Sequence, residues 1–187
     1  MKHVEIVYHS GYGHTATLAE AVQTGAARVE GIEVNLQPVE ALDWDRLDAA
    51  DAIIFGSPTY MGSVSAPFKA FMDQTSHRWF ERKWCNKLAA GFACSASWSG
   101  DKLNTLIQMA IFAVQHGMIW VGLDVLPGYN SSKGTPQDLN RVGSYLGAMA
   151  QANNDEGPDV APPQADRETA ALLGERVARA TLAWRGL

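Results

Sequence analysis

The sequence predicts a doubly wound α/β domain, and three observations predict it. Short apolar runs rich in Val, Ile and Ala alternate with amphipathic segments through the first two thirds of the chain. The run at 52–56 is apolar almost throughout, as in a strand buried on both faces of a parallel sheet. The first run passes at once into a glycine-bearing loop and a helical pattern, the strand–turn–helix unit that such sheets repeat.

Val4, Ile6, Val7 and Tyr8 make the first strand, and His9-Ser10-Gly11-Tyr12-Gly13-His14-Thr15 the loop after it. Leu18, Val22, Ala26 and Val29 then recur at helical spacing, with Glu20, Gln23, Thr24 and Arg28 largely on the other side. Residues 32–36 form a second strand, 42–48 a short helical connection and 52–56 a third strand. A loop at 57–65 leads to a helix at 66–75 with Pro67 in its first turn, where a missing N–H costs nothing. Residues 88–94 read as the fourth strand, 95–101 as a loop, and 103–116 as a helix that Gly117 terminates. A fifth strand at 118–123 and a helix at 138–151 follow. Five such strands order as 2-1-3-4-5, flavodoxin-like, with helices on both faces. Ligands then bind outside the carboxyl ends, where the loops after strands one, three and four meet.

Beyond residue 151 the composition changes. Residues 153–164 contain Asn, Asp, Gly and three prolines, which suit neither strand nor helix. The organisation expected is a domain at 1–152, a linker or surface loop at 153–166 and a C-terminal helix at 167–187. Leu172, Leu173, Val177, Ala180 and Trp184 form the apolar side of that helix. It either docks on its own domain or reaches a neighbouring subunit.

With 187 residues, 47% hydrophobic and 19% charged, the chain suits one buried core. A net charge of -5 without a basic stripe argues against nucleic acid. Arg78, Arg82, Lys83 and Lys87 form only a small basic face, interleaved with Glu81. Cys85 and Cys94 make neither a disulfide framework nor a zinc site. Glu5 and His9 interrupt the first apolar run, so no secretory segment is read there. The most apolar stretch, 106–126, is broken by Gln108, Gln115, His116 and Asp124, so no membrane partner and a cytoplasmic location are expected. His9 and His14 lack a carboxylate or cysteine at ligand spacing, which argues against a metal site. Gly-x-Ser-x-Gly does not occur, which argues against a serine hydrolase.

The first loop sits at a helix N-terminus, a natural seat for an anion. No Lys or Arg occurs between Lys2 and Arg28, so a phosphate there would be held by neutral donors: the Ser10, Thr15 and Thr17 hydroxyls and the backbone around Gly11 and Gly13. The loop ends Gly-His-Thr instead of Gly-Lys-Ser/Thr, which disfavours triphosphate hydrolysis, and Ala16 stands at the third position of the dinucleotide fingerprint. The second loop, Gly56-Ser57-Pro58-Thr59-Tyr60-Met61-Gly62-Ser63, and the third, Ser95-Ala96-Ser97-Trp98-Ser99-Gly100-Asp101, each set one aromatic ring among hydroxyls. Tyr60 and Trp98 either wall a flat heterocycle or pack on protein.

Tyr8 to Thr15, Ile54 to Gly62, Phe71-Met72-Asp73-Gln74-Thr75 with Trp79, and Gln115-His116-Gly117-Met118 together resemble the flavodoxin-like NAD(P)H:quinone oxidoreductases of the WrbA type, over about residues 3–123. The resemblance implies FMN, its phosphate on Ser10, Gly11, Tyr12, Gly13, His14 and Thr15. It implies a flavin ring bordered by Pro58, Thr59, Tyr60, Met61, Gly62 and Ser63 and by Ser95, Ala96, Ser97, Trp98, Ser99 and Gly100. It further implies Tyr12 beside NAD(P)H, Trp79 facing a quinone, His116 near the flavin, and a homodimer or homotetramer. His116 ends the helix after strand four, so it would reach a flavin only across a subunit interface; otherwise it is a helix C-terminal histidine favoured by the macrodipole. The chain departs from the family at Tyr60, often Arg, at Ser63, often Asn, at Gln115, a second histidine, and in the third loop, normally glycine-rich. The long insertion common after strand two is also missing.

The implied reaction passes a hydride from NAD(P)H to FMN and on to a quinone or other small acceptor, with no protein nucleophile needed. Tyr12, Tyr60, Trp79 and Trp98 are the stacking candidates. Two rivals stay open: a flavodoxin-type electron carrier without NAD(P)H activity, and a flavin-less binding protein of the same fold. The near absence of carboxylates from the loops, Asp101 apart, favours the enzyme over the carrier.

Overall fold

Four parallel strands form the centre of the computed structural model, which describes residues 1–186. β1 (Lys2–Tyr8) lies between β2 (Ile32–Pro38) and β3 (Ala52–Tyr60), and β3 pairs in turn with β5 (Leu88–Ser95). Beyond β5, β6 (Ile119–Trp120) pairs beside Leu88 and Ala89, giving the order β2-β1-β3-β5-β6. This is the flavodoxin-like order expected.

Alternation along the strands supplies two cores. Ile54, with Val4 and Ile6, faces α1 (His14–Ala27) and α6 (Gln164–Ala183). Ile53 and Phe55 face the other side, with α2 (Trp44–Ala49), α3 (Ala66–Gln74) and α5 (Lys102–Gln115). The short α4 (Ser76–Phe80) follows α3. Glu5, buried in β1, is satisfied by the Asn35 and Gln37 amides and by Arg46.

Three local expectations are corrected. The loop at 57–65 is partly a hairpin: β3 continues to Tyr60 and pairs antiparallel with β4 (Ser63–Val64). Met61 and Gly62 both have positive φ, 50° and 77°, as a tight two-residue hairpin turn requires. The strand at 118–123 pairs on β5 only at its start. Gly122 lets the Tyr145 carbonyl come within 2.7 Å of where a Cβ would stand, and the Leu123 N–H donates to that same oxygen. The helix at 138–151 does not form. Asn140 adopts φ 47° and its side chain bonds the Val125 and Ser144 carbonyls and the Ser144 N–H, so side-chain bonds displace helical ones. Residues 148–151 instead make β7 (Ala148–Gln151), which pairs with the far half of β5.

The C-terminal helix docks on its own chain. A Cβ on Gly174 would fall 2.0 Å from the Val22 carbonyl oxygen, and one on Gly25 1.8 Å from that of Ala171, so α1 and α6 touch backbone to backbone. Gly174→Ala should therefore cost about 1–3 kcal/mol or more as overpacking, read as a lower urea midpoint at an unchanged m-value.

Candidate functional site

The loops after β1, β3 and β5 meet in one cleft of about 420 Å³. The first loop and the start of α1 give it Ser10, Tyr12, His14 and Thr15, the end of β3 Pro58, Thr59 and Tyr60, and the end of β5 with its loop Ser95 and Ala96. Cys94, Ala152 and Asn154 complete the walls. Neither a carboxylate nor a Lys or Arg lines it among the described residues. A wider groove of about 680 Å³ runs beside α6, but it offers mainly surface charges that are already paired, Arg176 with Asp124 and Arg179 with Glu175.

The first loop is built to expose N–H groups. Gly13, at φ 90°, leads into α1 with no side-chain cap. The Ser10 hydroxyl oxygen accepts the Ala16 N–H at 3.1 Å and the Gly13 carbonyl accepts that of Thr17, which leaves the His14 and Thr15 N–H groups without intrahelical acceptors. Gly11 makes room for Tyr60, whose hydroxyl oxygen lies 2.5 Å from a Cβ placed there. The Tyr60 ring meets Tyr12 at 6.2 Å and His9 at 6.5 Å, both edge-on. Burial raises the Tyr60 pKa, and Tyr12 adds to this, so the hydroxyl stays protonated at neutral pH. Tyr12, 77% exposed, is the outer rim.

Residues 153–163, expected as a linker or surface loop, lie as a strap across the first loop. His14 Nε2 is 2.8 Å from the Glu156 carbonyl, the Thr17 hydroxyl donates to the Pro158 carbonyl, and Pro158 packs on Gly13. Arg167 ties the strap down through the Pro158 and Pro162 carbonyls.

The third loop is held from behind. The Lys102 ammonium donates to Ser95 Oγ and to the Ser97 and Trp98 carbonyls, each at 2.8 Å. The Arg141 guanidinium lies 4.4 Å over the Trp98 ring and grips Asp166 through two bonds of 2.8 Å. Gln151 joins this pair to the Ala96 carbonyl. Burial pushes the Cys94 thiol up to about 12, which makes it a wall group and not a nucleophile.

The described cleft excludes several expected residues. Met61, Gly62 and Ser63 form the hairpin tip, where Ser63 bonds Gln108 and the Gly62 carbonyl accepts from Asn104. Trp98 and Ser99 line a neighbouring hollow with Tyr145, while Ser97 and Gly100 shape the loop behind Ser95. Gly11 and Gly13 act through their backbone. Sequence reasoning missed Cys94, Ala152 and Asn154. Cys94 is the last residue of the fourth strand as read from sequence, a detectable position; Ala152 and Asn154 arrive through β7 and the strap, for which the sequence carries no signal.

Known proteins resemble this chain in sequence and fold. Residues 36–128 match the family described as NADPH-dependent FMN reductase. The chain is 44% identical over 180 residues to flavodoxin FldP of Pseudomonas aeruginosa, covering 96% of each chain. It is 33% identical to an NAD(P)H dehydrogenase (quinone) of Archaeoglobus fulgidus, covering 95% of this chain and 96% of the other. The crystal structure of a WrbA-like flavodoxin from Agrobacterium tumefaciens, 40% identical, superposes with a TM-score of 0.74 over 98% of this chain and 99% of that one. The chain belongs to the WrbA-type family of flavodoxin-like FMN oxidoreductases.

The WrbA resemblance sets His116 near a flavin, yet in this chain His116 is outside the cleft. It sits at the end of α5 between Trp84 and Phe112, with ring centroids at 4.7 and 4.9 Å, and shares a hollow of about 470 Å³ with Trp79. The Thr75 hydroxyl donates to the Met72 carbonyl, so His116 Nε2 must carry the proton it shares with Thr75 at 2.8 Å. Nδ1 is buried without a partner. Burial pulls the His116 pKa from 6.5 to about 4. The unfolded chain takes up this proton first, so its charging costs stability as pH falls from 6.5 towards 4. Thermal melts across that range should show a steeper fall in Tm for the wild type than for His116→Phe, which keeps an aromatic body but cannot titrate.

Proposed function

We propose that the protein is an FMN-dependent oxidoreductase that takes a hydride from NAD(P)H and delivers it to a quinone or another small acceptor. One observation carries this reading: a cleft at the strand carboxyl ends combines a neutral anion seat on α1 with an aromatic rim and no lining carboxylate. The donor set fits FMN. Ser10 through Thr15 would hold its phosphate with hydroxyls and free N–H groups, as an uncapped helix start favours. Pro58, Thr59, Tyr60, Ser95 and Ala96 would border the ring, and the protonated Tyr60 hydroxyl can donate to its polar edge. The strap is pinned to His14 and Gly13 beside the phosphate side.

When bound, FMN supplies the hydride acceptance and release, so the chain need only bind, orient and exclude water. Tyr12 is the exposed ring beside which a nicotinamide would lie. Trp79, 47% exposed, is the acceptor-side ring implied by the family. It lies outside the cleft of its own chain, so it would serve a neighbour's flavin, with His116 beside it. An exposed apolar stripe on α5, Leu103, Ile107, Ile111 and Val114, supports the homodimer or homotetramer this needs. No described helix is long and apolar enough to cross a membrane, and we infer a cytoplasmic setting.

The likeness to flavodoxin FldP favours a second reading, an electron carrier without NAD(P)H activity. Anaerobic titration of the FMN-loaded protein with NADPH and then NADH separates the two: bleaching of the flavin absorbance is expected, and a flavin left oxidised by both nucleotides would establish the carrier. One stacking face is worth about 0.5–1.5 kcal/mol, so Trp79→Ala should lower acceptor turnover several-fold with flavin content unchanged.

A further inference from the structure

Lys102 opens α5 with a side chain that is 0% exposed. Buried lysines are normally paired, yet among the described residues Lys102 forms no ion pair. Its three donors all go to neutral oxygens of the third loop, Ser95 Oγ and the Ser97 and Trp98 carbonyls. The position is adverse in a second respect. The ammonium stands at the positive end of a helix dipole, after an Asp101 that makes no capping bond. An apolar side chain would fill this site at lower cost.

The surroundings leave this charge uncompensated. Asp166 is held by Nε and Nη2 of Arg141 and by the Gln151 N–H, so that pair cancels itself. Cys94, the remaining titratable neighbour, is a neutral thiol. Among the described residues no carboxylate lines the cleft on the other side of Ser95. A single positive charge therefore stands behind a cleft wall, in a medium that screens it poorly. The cleft lies on the other side of Ser95 from this charge.

We propose that Lys102 sets the reduction potential of the flavin by stabilising the negative charge that the ring acquires when it is reduced. The proposal rests on the FMN reading above. Oxidised FMN has a neutral ring; a hydride from NAD(P)H, two electrons and one proton, makes it a monoanion and releases NAD(P)+. Passing that hydride to a quinone, with one proton from solvent, gives the hydroquinone and returns the ring to neutrality. Lys102 thus acts from behind Ser95 as a positioning charge, favouring acceptance of the hydride while remaining unreacted. Burial lowers its pKa to about 8, so it is charged at neutral pH and loses its proton above that.

The test uses FMN-loaded wild type, Lys102→Met and Lys102→Arg, with uptake read from quenching of flavin fluorescence and midpoint potential from equilibration with redox dyes. Lys102→Met should reduce the preference for reduced over oxidised FMN about tenfold, which is about 30 mV lower for a two-electron couple. Lys102→Arg, which keeps the charge, should stay near the wild type. The wild type alone gives a second readout. Its potential should fall more steeply with pH just above about 8, where reduction begins to restore a proton to Lys102; a straight line there would overturn the proposal. Equal shifts in both variants would also overturn it, since the cause would then be loop shape and not charge. If no form takes up FMN, the flavin reading and the proposal fall together. If all take it up and Lys102→Met keeps the wild-type potential, only the role of Lys102 falls.

Discussion

The buried Arg141–Asp166 pair holds together the parts of this molecule that the sheet does not. Arg141 comes from the excursion between β6 and β7, Asp166 from the first turn of α6, and both contact Gln151 of β7. The same guanidinium covers Trp98, and Gln151 reaches the Ala96 carbonyl. An ion pair so buried is expensive to break, because either partner left alone is an uncompensated charge. Its placement fixes the third loop, the strap and the helix start relative to one another, and so fixes the cleft.

Charge is distributed unevenly around that cleft. Its lining is neutral: hydroxyls, backbone N–H groups and aromatic rings. The charges stand one layer back, as the self-cancelling Arg141–Asp166 pair and the unpaired Lys102. A neutral lining suits a ligand whose charge changes during turnover, because no fixed carboxylate opposes the reduced form. Among the described residues, Lys102 is the cation behind the lining that has no ion-pair partner.

Close backbone approach is the other constraint. Gly25 and Gly174 let α1 and α6 touch, Gly56 admits the Phe92 ring, and Gly11 admits the Tyr60 hydroxyl. The second of these helices carries the strap at its start. Rigid docking of α6 on α1 therefore also positions Pro158 and Glu156 over the first loop.

The sequence by itself determined the parallel sheet, its order, and the three loops that make the cleft. Those follow from apolar runs of strand length, helical spacing between them, and glycine and hydroxyl residues at fixed places after the strands, all of them local and periodic signals. Only the tertiary structure decided what completes the cleft. Residues 138–151 carry a helical pattern, but Asn140 spends its side chain on the backbone and Ala148–Gln151 gain more as a strand on β5. The strap is proline-rich and looks free, yet His14 and Arg167, 153 residues apart in number, pin it from either side. Lys102, between the loop and the helix as read from sequence, is fully buried, because the loop before it folds back over its ammonium. In each case the deciding contact joins residues brought together by folding, and such contacts leave no period in the chain.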